Sequence, residues 1–398
     1  MRILIFSPVP THPPVAGNRA RILTLADSLI AAGHTVHFAW AALEDGDREA
    51  MMQHFNGGFT EFAYRMPKSV SSVTARLRRR ALRRMRKASA YVWGVDDWYD
   101  PELTPQLTTL QAQHDFEAVF VEYVFMSKAL EAFPAGVVKI IDTHDRFANR
   151  HLHFLEAGRQ PEWFSTTPAD ESKGLARADI VVAIQDNEAK LFAAALPPGK
   201  RVATVGHLLD MSQSVQLSDA PRAVFVASGN SINVDAANAF INGALPLIRA
   251  KIPDFEIWLA GDVCQHAHDA PGVHKLGRVD SIAQTYALGA LAVNPVRMGT
   301  GLNIKTMECL ALGVPLVATE SGSRGLETLR GKAFLAVADD DAQAMAAEIV
   351  RVLRDGTLRK TLAREALAAA RLWNTAQLEN LTGILHAPSP TLRKVSGA

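Results

Sequence analysis

The sequence of 398 residues has only two cysteines, Cys264 and Cys309, and both stand in apolar surroundings without paired spacing. That excludes a disulfide scaffold and a cysteine metal cluster, and it predicts reduced, buried thiols in a cytoplasmic protein. Excess charge of one sign is missing too. With 42 basic and 41 acidic residues the net charge is +1, so no polyanion-binding face covers the whole molecule and any basic site must be local. No apolar run has the length needed to span a bilayer. The opening run from Met1 to Phe6 is interrupted by Pro8 and Pro10, too early for a signal peptide. Low-complexity tracts and short tandem repeats are absent. Two nucleotide-binding fingerprints are absent as well. The pattern G-x-x-x-x-G-K-[ST] fails because Ile304, not glycine, precedes Lys305. The pattern G-x-G-x-x-G fails at the same isoleucine and again after the first strand, which ends in Phe6-Ser7-Pro8.

What is present is 48% hydrophobic residues over a length beyond which a single core stops growing. Two domains are expected. Short apolar runs alternate with helical patterns twice over, the arrangement of an α/β fold whose parallel sheets are covered by helices on both faces. The first half reads as strand 3–6, a proline-rich loop to Gly17, helix 19–32 closed by Gly33, then strands 35–39, 118–122, 137–142 and 180–184. The second half reads as strand 223–227, helix 235–249, and strands 256–260, 290–294 and 316–318. Residues 208–222 are polar, include Pro221 and lack a core pattern, which marks a linker. The expected domains are 1–207 and 208–373. Residues 357–370 form an alanine-rich amphipathic helix.

Around the strand at 290–294 the sequence places glycines, a lysine and a carboxylate at one strand-to-helix turn. Gly299, Thr300 and Gly301 let backbone N–H groups approach an anion at a helix start. Lys305 and Glu308 follow about one turn apart, so both can face one ligand. The helix ends at Gly313 and Pro315. This is a phosphate-and-sugar handling layout, against the plainer reading of an ordinary connection with helpful glycines.

Taken together, these residues resemble glycosyltransferase family 4, the retaining glycosyltransferases of GT-B fold, over nearly the whole chain. The likeness rests on Pro13 to Arg19 after the first strand, Gly33-His34-Thr35-Val36, Val224 to Asn233, Leu245-Pro246, Pro253 to Gly261, Leu276 to Val279, and the glycine, Lys305 and Glu308 segment. It implies two Rossmann-like domains facing a central cleft, with a nucleotide-sugar held mainly by the C-terminal one. Trp373 and the helix after it, 374–386, resemble the family's segment that returns to the N-terminal domain. No metal ion and no cofactor is expected, the nucleotide-sugar being a co-substrate, because no Asp-x-Asp-type motif is evident. The protein must then stabilise the departing pyrophosphate itself.

For that task Lys305 and the amides from Gly299 through Thr300 and Gly301 to Leu302 are the candidates, with Arg297, Arg278 and Gly261 beside them. Glu308 is placed to accept hydrogen bonds from a ribose diol. By position, His144 resembles the family's active-site histidine that contacts the transferred sugar, and it also reads as a structural hydrogen-bonder. Asp142 and Asp145 read as acceptor-side groups beyond a strand end or as caps of the following helix. Glu122 is a site residue or a salt-bridged one. Gly17 permits close approach of backbone to a sugar nucleotide or simply a turn. Arg19 is a phosphate ligand or a solvated residue at a helix start.

Two positions depart from the family pattern. Thr300 stands where many members have a first glutamate, eight residues before Glu308. The stretch from Ser228 to Asn233 replaces an Arg and Lys pair that grips the pyrophosphate. Asn230 and Asn233 offer uncharged amides there, which shifts the load to Lys305 and Arg297.

Residues 76–87 carry eight arginines and lysines and no acidic residue, with Leu77, Ala81 and Met85 at four-residue spacing. Such a helix reads as an anionic membrane-surface binder, or as a solvated arginine-rich helix. Nucleic acid is not expected as a partner, since aromatics are not interleaved. The reading reached is a retaining hexosyltransferase acting on a glycan, lipid-linked or glycolipid acceptor in bacterial surface-polysaccharide assembly, cytoplasmic and peripheral at the inner face of the membrane. Its rivals are a sugar-nucleotide epimerase of similar shape and a non-catalytic nucleotide-sugar or glycan-binding protein.

Overall fold

The computed structural model describes residues 1–386 apart from Val15, Arg86, Ala157, Ser214 and Thr300. Two compact units divide the chain. Among the described residues the first comprises Met1–Pro14, Asn18–Gly206 and 378–386, and the second comprises Ala16 and Gly17 with His207–Gln377.

In the first unit, strands β1 (Arg2–Ser7), β2 (Thr35–Ala41), β3 (Phe59–Phe62), β4 (Ala118–Glu122), β5 (Val138–Asp142), β6 (Ile180–Ala183) and β7 (Arg201–Thr204) form a parallel sheet ordered β3-β2-β1-β4-β5-β6-β7. Ile3, Leu4, Ile5 and Phe6 of β1 are all fully buried, as the unbroken apolar run requires of a central strand covered on both faces. Burial of one such side chain stabilises by about 1.5–3 kcal/mol. Strand β1 pairs with β2 at Ile3↔Val36 and with β4 at Ile3↔Ala118. Sheet order therefore reverses between β1 and β4.

The second unit repeats the plan with β8 (Arg222–Val226), β9 (Glu256–Ala260), β10 (Val273–Gly277), β11 (Leu291–Asn294), β12 (Leu316–Thr319) and β13 (Leu335–Val337), ordered β10-β9-β8-β11-β12-β13. Here the reversal lies between β8 and β11. Its core gathers Phe225, Phe240, Ile248, Ile257, Leu259 and Val293 around the sheet.

Four strands escape the sequence pattern, namely β3, β7, β10 and β13. Each is short or at a sheet edge and only partly buried, so it carries no continuous apolar run. The single helix expected over 235–249 starts earlier and is interrupted. It runs Ser231–Ala239, loosens into a π-turn at Phe240–Ala244, and resumes as Leu245–Arg249. Asn230 accepts from the Asn233 N–H at 2.9 Å and so sets the earlier start. Pro246 has no N–H to give to the preceding turn, which accounts for the wider loop before it. The helix expected over 357–370 belongs to a longer one, Gly356–His386. Past Leu378 that helix is tied to the first unit, where Asn380 donates to the Thr204 carbonyl at 2.9 Å and Arg201 to that of Gly383 at 3.0 Å.

Candidate functional site

In open parallel sheets, ligands bind beyond the carboxyl ends of the strands where sheet order reverses. Both units place their chemistry-bearing residues at such ends.

In the second unit the reversal falls beside β11, whose last residue is Asn294. Its buried amide nitrogen lies 2.8 Å from the Asn303 side-chain oxygen, 3.0 Å from the Thr306 hydroxyl and 2.9 Å from the Gly322 carbonyl. Thr306 in turn donates to the Gly322 carbonyl at 2.6 Å. This network fixes the start of the helix Ile304–Ala311 relative to the strand. Asn303 occupies its N-cap position without a side-chain cap bond, and Gly299, Gly301 and the buried Leu302 form the turn before it. Thr300 lies outside the described residues.

Lys305 and Glu308 both stand on this helix and keep part of their surface exposed. Among the described residues neither side chain forms a hydrogen bond or an ion pair to the protein. Loss of water contact lowers the Lys305 pKa, with Glu308 acting against that shift. The same desolvation pushes Glu308 up to about 7, opposed by Lys305. An uncommitted ammonium and a carboxyl group poised near neutrality thus share one turn, the arrangement expected of ligand-binding groups.

The other donor-side candidates are already engaged. Asn233 is buried and gives its amide to the Ser228 carbonyl and hydroxyl, both at 3.0 Å, while Asn230 caps the helix and donates to the Ser228 hydroxyl at 3.2 Å. Arg278 holds Asp262 at 2.7 Å. Arg297 bridges Asp235 at 2.6 Å and Asp340 at 2.8 Å. Gly261 has φ +92°, and a Cβ there would meet the Ala227 carbonyl oxygen at 2.3 Å, so the close passage of two loops explains this glycine without a ligand.

In the first unit, β4 ends in Glu122 and β5 in Asp142, paired in register. His144 follows two residues later with φ +58°. Its Nε2 lies 2.5 Å from Glu122 Oε2 and 3.9 Å from Asp142 Oδ2, and its ring stacks on Tyr123 at 4.1 Å and 11°. Asp142 caps no helix. Both of its oxygens receive the Arg21 guanidinium, at 2.9 and 2.7 Å, with Arg21 buried in the helix Gly17–Ala31. Burial raises Glu122 to about 7, reinforced by Asp142 and opposed by His144 and Arg21. Asp145 accepts from the Arg146 N–H at 2.8 Å and pairs with Arg150 at 3.1 Å, just before the helix Arg150–Glu156. Arg19 is taken up by Glu44 at 3.2 Å and the Asp45 carbonyl at 2.9 Å. Gly17 begins the helix Gly17–Ala31.

Glu122, Asp142 and His144 present three ligand atoms within 4.8 Å of one another. As a cation site they do not fit, because Arg21 already occupies both Asp142 oxygens with a fixed positive charge. Arg21 and Tyr123 are the residues that sequence reasoning missed. A signal for Arg21 existed, since it lies on the stripe of Ile22, Leu25, Ala26 and Leu29 that the helix buries.

Residues 220–355 match the family model described as glycosyl transferases group 1. A phosphatidyl-myo-inositol mannosyltransferase of Mycolicibacterium smegmatis is 31% identical over 129 residues, 30% of this chain and 33% of that protein. The chain thus matches about a third of the length of that curated relative. Among solved structures, Anabaena HepE in complex with UDP and glucose is similar with TM-score 0.67 and 15% identity, over 97% of this chain and 99% of that one. Sucrose-phosphate synthase from Thermosynechococcus elongatus is similar with TM-score 0.68 and 14% identity, over 96% and 98%. The chain has the GT-B fold of these structures.

Proposed function

We propose that this chain is a retaining, metal-independent hexosyltransferase that moves a sugar from a nucleotide-sugar to a glycan, lipid-linked or glycolipid acceptor, in assembly of a bacterial surface polysaccharide. One observation carries the reading. Among the described residues the Lys305 and Glu308 side chains form no hydrogen bond or ion pair to the protein, on the helix that opens beyond β11, inside the segment that matches the glycosyltransferase family model. Lys305, with the amides of the preceding turn, supplies positive charge where a diphosphate leaving group develops negative charge. Glu308 accepts from the ribose hydroxyls. The HepE complexes with UDP, glucose and UDP-glucose support a uridine nucleotide as the first donor to try. The first unit contributes His144 and acceptor recognition.

The test is an incubation with UDP-, GDP-, ADP- and dTDP-sugars and a membrane-lipid or oligosaccharide acceptor panel, with released nucleoside diphosphate and product anomer both read. Wild type is expected to transfer with retained configuration, and Lys305→Ala to lose about 100-fold or more of turnover, the scale of a lost transition-state donor. Unchanged turnover in Lys305→Ala would remove the assignment. A second reading, a non-catalytic nucleotide-sugar binder, draws on the engagement of Arg278 and Arg297 by carboxylates. It predicts donor binding without transfer.

The site of action we propose is the cytoplasmic face of an anionic membrane, reached through the basic helix Val73–Arg84. Val73 and Leu77 on that helix and Met85 just after it are 67%, 58% and 63% exposed, and arginines flank them. Among the described residues no helix is long and apolar enough to cross a membrane.

A further inference from the structure

Glu122 ends β4 with none of its surface exposed. A ligand atom therefore does not reach it, and any part it plays must pass through a neighbour. The groups around it are Asp142 and His144 from the β5 end, Arg21 from the helix Gly17–Ala31, and Tyr123 next in sequence. Arg21 saturates Asp142, which leaves Glu122 as the acceptor nearest His144, at 2.5 Å from Nε2. The opposite ring nitrogen, Nδ1, has no hydrogen-bond partner among the described residues. Tyr123 stacks on the ring, and both Tyr123 (φ +72°) and His144 (φ +58°) hold backbone conformations that side-chain-bearing residues seldom adopt. Each such conformation costs about 1–3 kcal/mol and persists where the surroundings fix it.

We propose that Glu122 is the positioning residue for His144: its carboxylate accepts the Nε2–H, which selects the tautomer whose Nδ1 keeps a lone pair to accept a hydrogen from a ligand hydroxyl. The carboxylate, the stacked tyrosine and the left-handed turn together hold the ring in one orientation. A hydroxyl of the transferred sugar or of the acceptor is the chemical class that fits Nδ1, since such a group donates to a neutral imidazole nitrogen. This rests on the reading of His144 as a site residue.

The experiment is long-range proton–nitrogen correlation spectroscopy on ligand-free protein with nitrogen-15 histidine, His144 being assigned by its loss in His144→Gln. The wild type is expected to show His144 protonated at Nε2. Glu122→Ala should lose that preference, and its turnover should fall about tenfold or more with donor KM little changed. His144 protonated at Nδ1 in the wild type, or an unaltered tautomer in Glu122→Ala, would overturn the proposal. Because the wild-type spectrum alone decides the tautomer, a poorly folding variant leaves the test intact. The expected tautomer shift with unaltered transfer would support the positioning while removing His144 from the reaction, so the two readings fail separately.

Discussion

Glu188 opens the helix Asp186–Ala195 as a buried carboxyl group whose Oε1 accepts from Gln185 at 3.1 Å. Loss of water raises it to about 8, and Asp145 adds to the shift. A carboxyl whose folded pKa lies above its unfolded value of 4.5 binds its proton more tightly in the native state. The stabilisation is complete below the unfolded value and is lost as pH rises through about 8. Glu122, Glu171 and Glu308, each raised to about 7, act in the same direction. Glu188→Gln is neutral at every pH. Between pH 5 and pH 8 the variant should lose less stability than the wild type, by on the order of 1–3 kcal/mol. Denaturant unfolding at the two pH values reads this, and parallel pH dependence in both proteins would contradict it. Residue identity alone hid this behaviour. Glu188 is a charged residue on a helix, where a solvated face is the ordinary expectation, and only the tertiary environment buries it.

Helices and strands were legible in proportion to their burial. The central strands β1, β4 and β11 carry unbroken apolar runs and β5 a run interrupted only by Lys139, and the sequence marks each of them within one or two residues. Edge strands such as β7 expose part of every residue and leave no run to read. At the helix Ile304–Ala311 the Lys305 and Glu308 spacing was visible, whereas the Asn294, Asn303 and Thr306 network that anchors it joins positions too far apart in sequence to be seen. A basic helix over 76–87 was visible from charge and spacing alone, and the structure places it at Val73–Arg84, starting and ending three residues earlier. What the structure adds is the side it packs. Arg79 stacks on Trp93 and donates to the Ala90 carbonyl at 2.8 Å, leaving Val73, Leu77, Ala81 and Met85 outward. Flotation with phosphatidylserine vesicles should carry the wild type and not a protein with Arg80→Glu and Arg84→Glu. Each basic residue near anionic lipid contributes about 1 kcal/mol, so binding should weaken about fivefold per lost charge and further on charge reversal. Equal recovery with neutral phosphatidylcholine vesicles would contradict membrane docking.

At the scale of the whole chain, two parallel sheets repeat one topology, each with its order reversing at a strand end that carries polar residues. The repetition was legible because alternating apolar runs and helical patterns occur twice with a polar stretch between them. The described residues of 207–221 contain no helix or strand, and the passage from one unit to the other falls at Gly206 and His207. The second passage lies inside the helix Gly356–His386, between Gln377 and Leu378, four residues beyond the Trp373 that closes the expected second domain. Such a continuous helix has no composition break to announce a boundary. On the proposed function, the turn beyond β11 binds the diphosphate and ribose of a nucleotide through Lys305 and Glu308. Isothermal titration of wild type, Lys305→Ala and Glu308→Ala with UDP, GDP, ADP and dTDP measures it directly. One nucleotide should bind the wild type, and each variant should bind it about tenfold or more weakly, the loss of one charge-assisted hydrogen bond of about 1.5–3 kcal/mol. Undiminished affinity in both variants, with the wild type binding, would contradict the account.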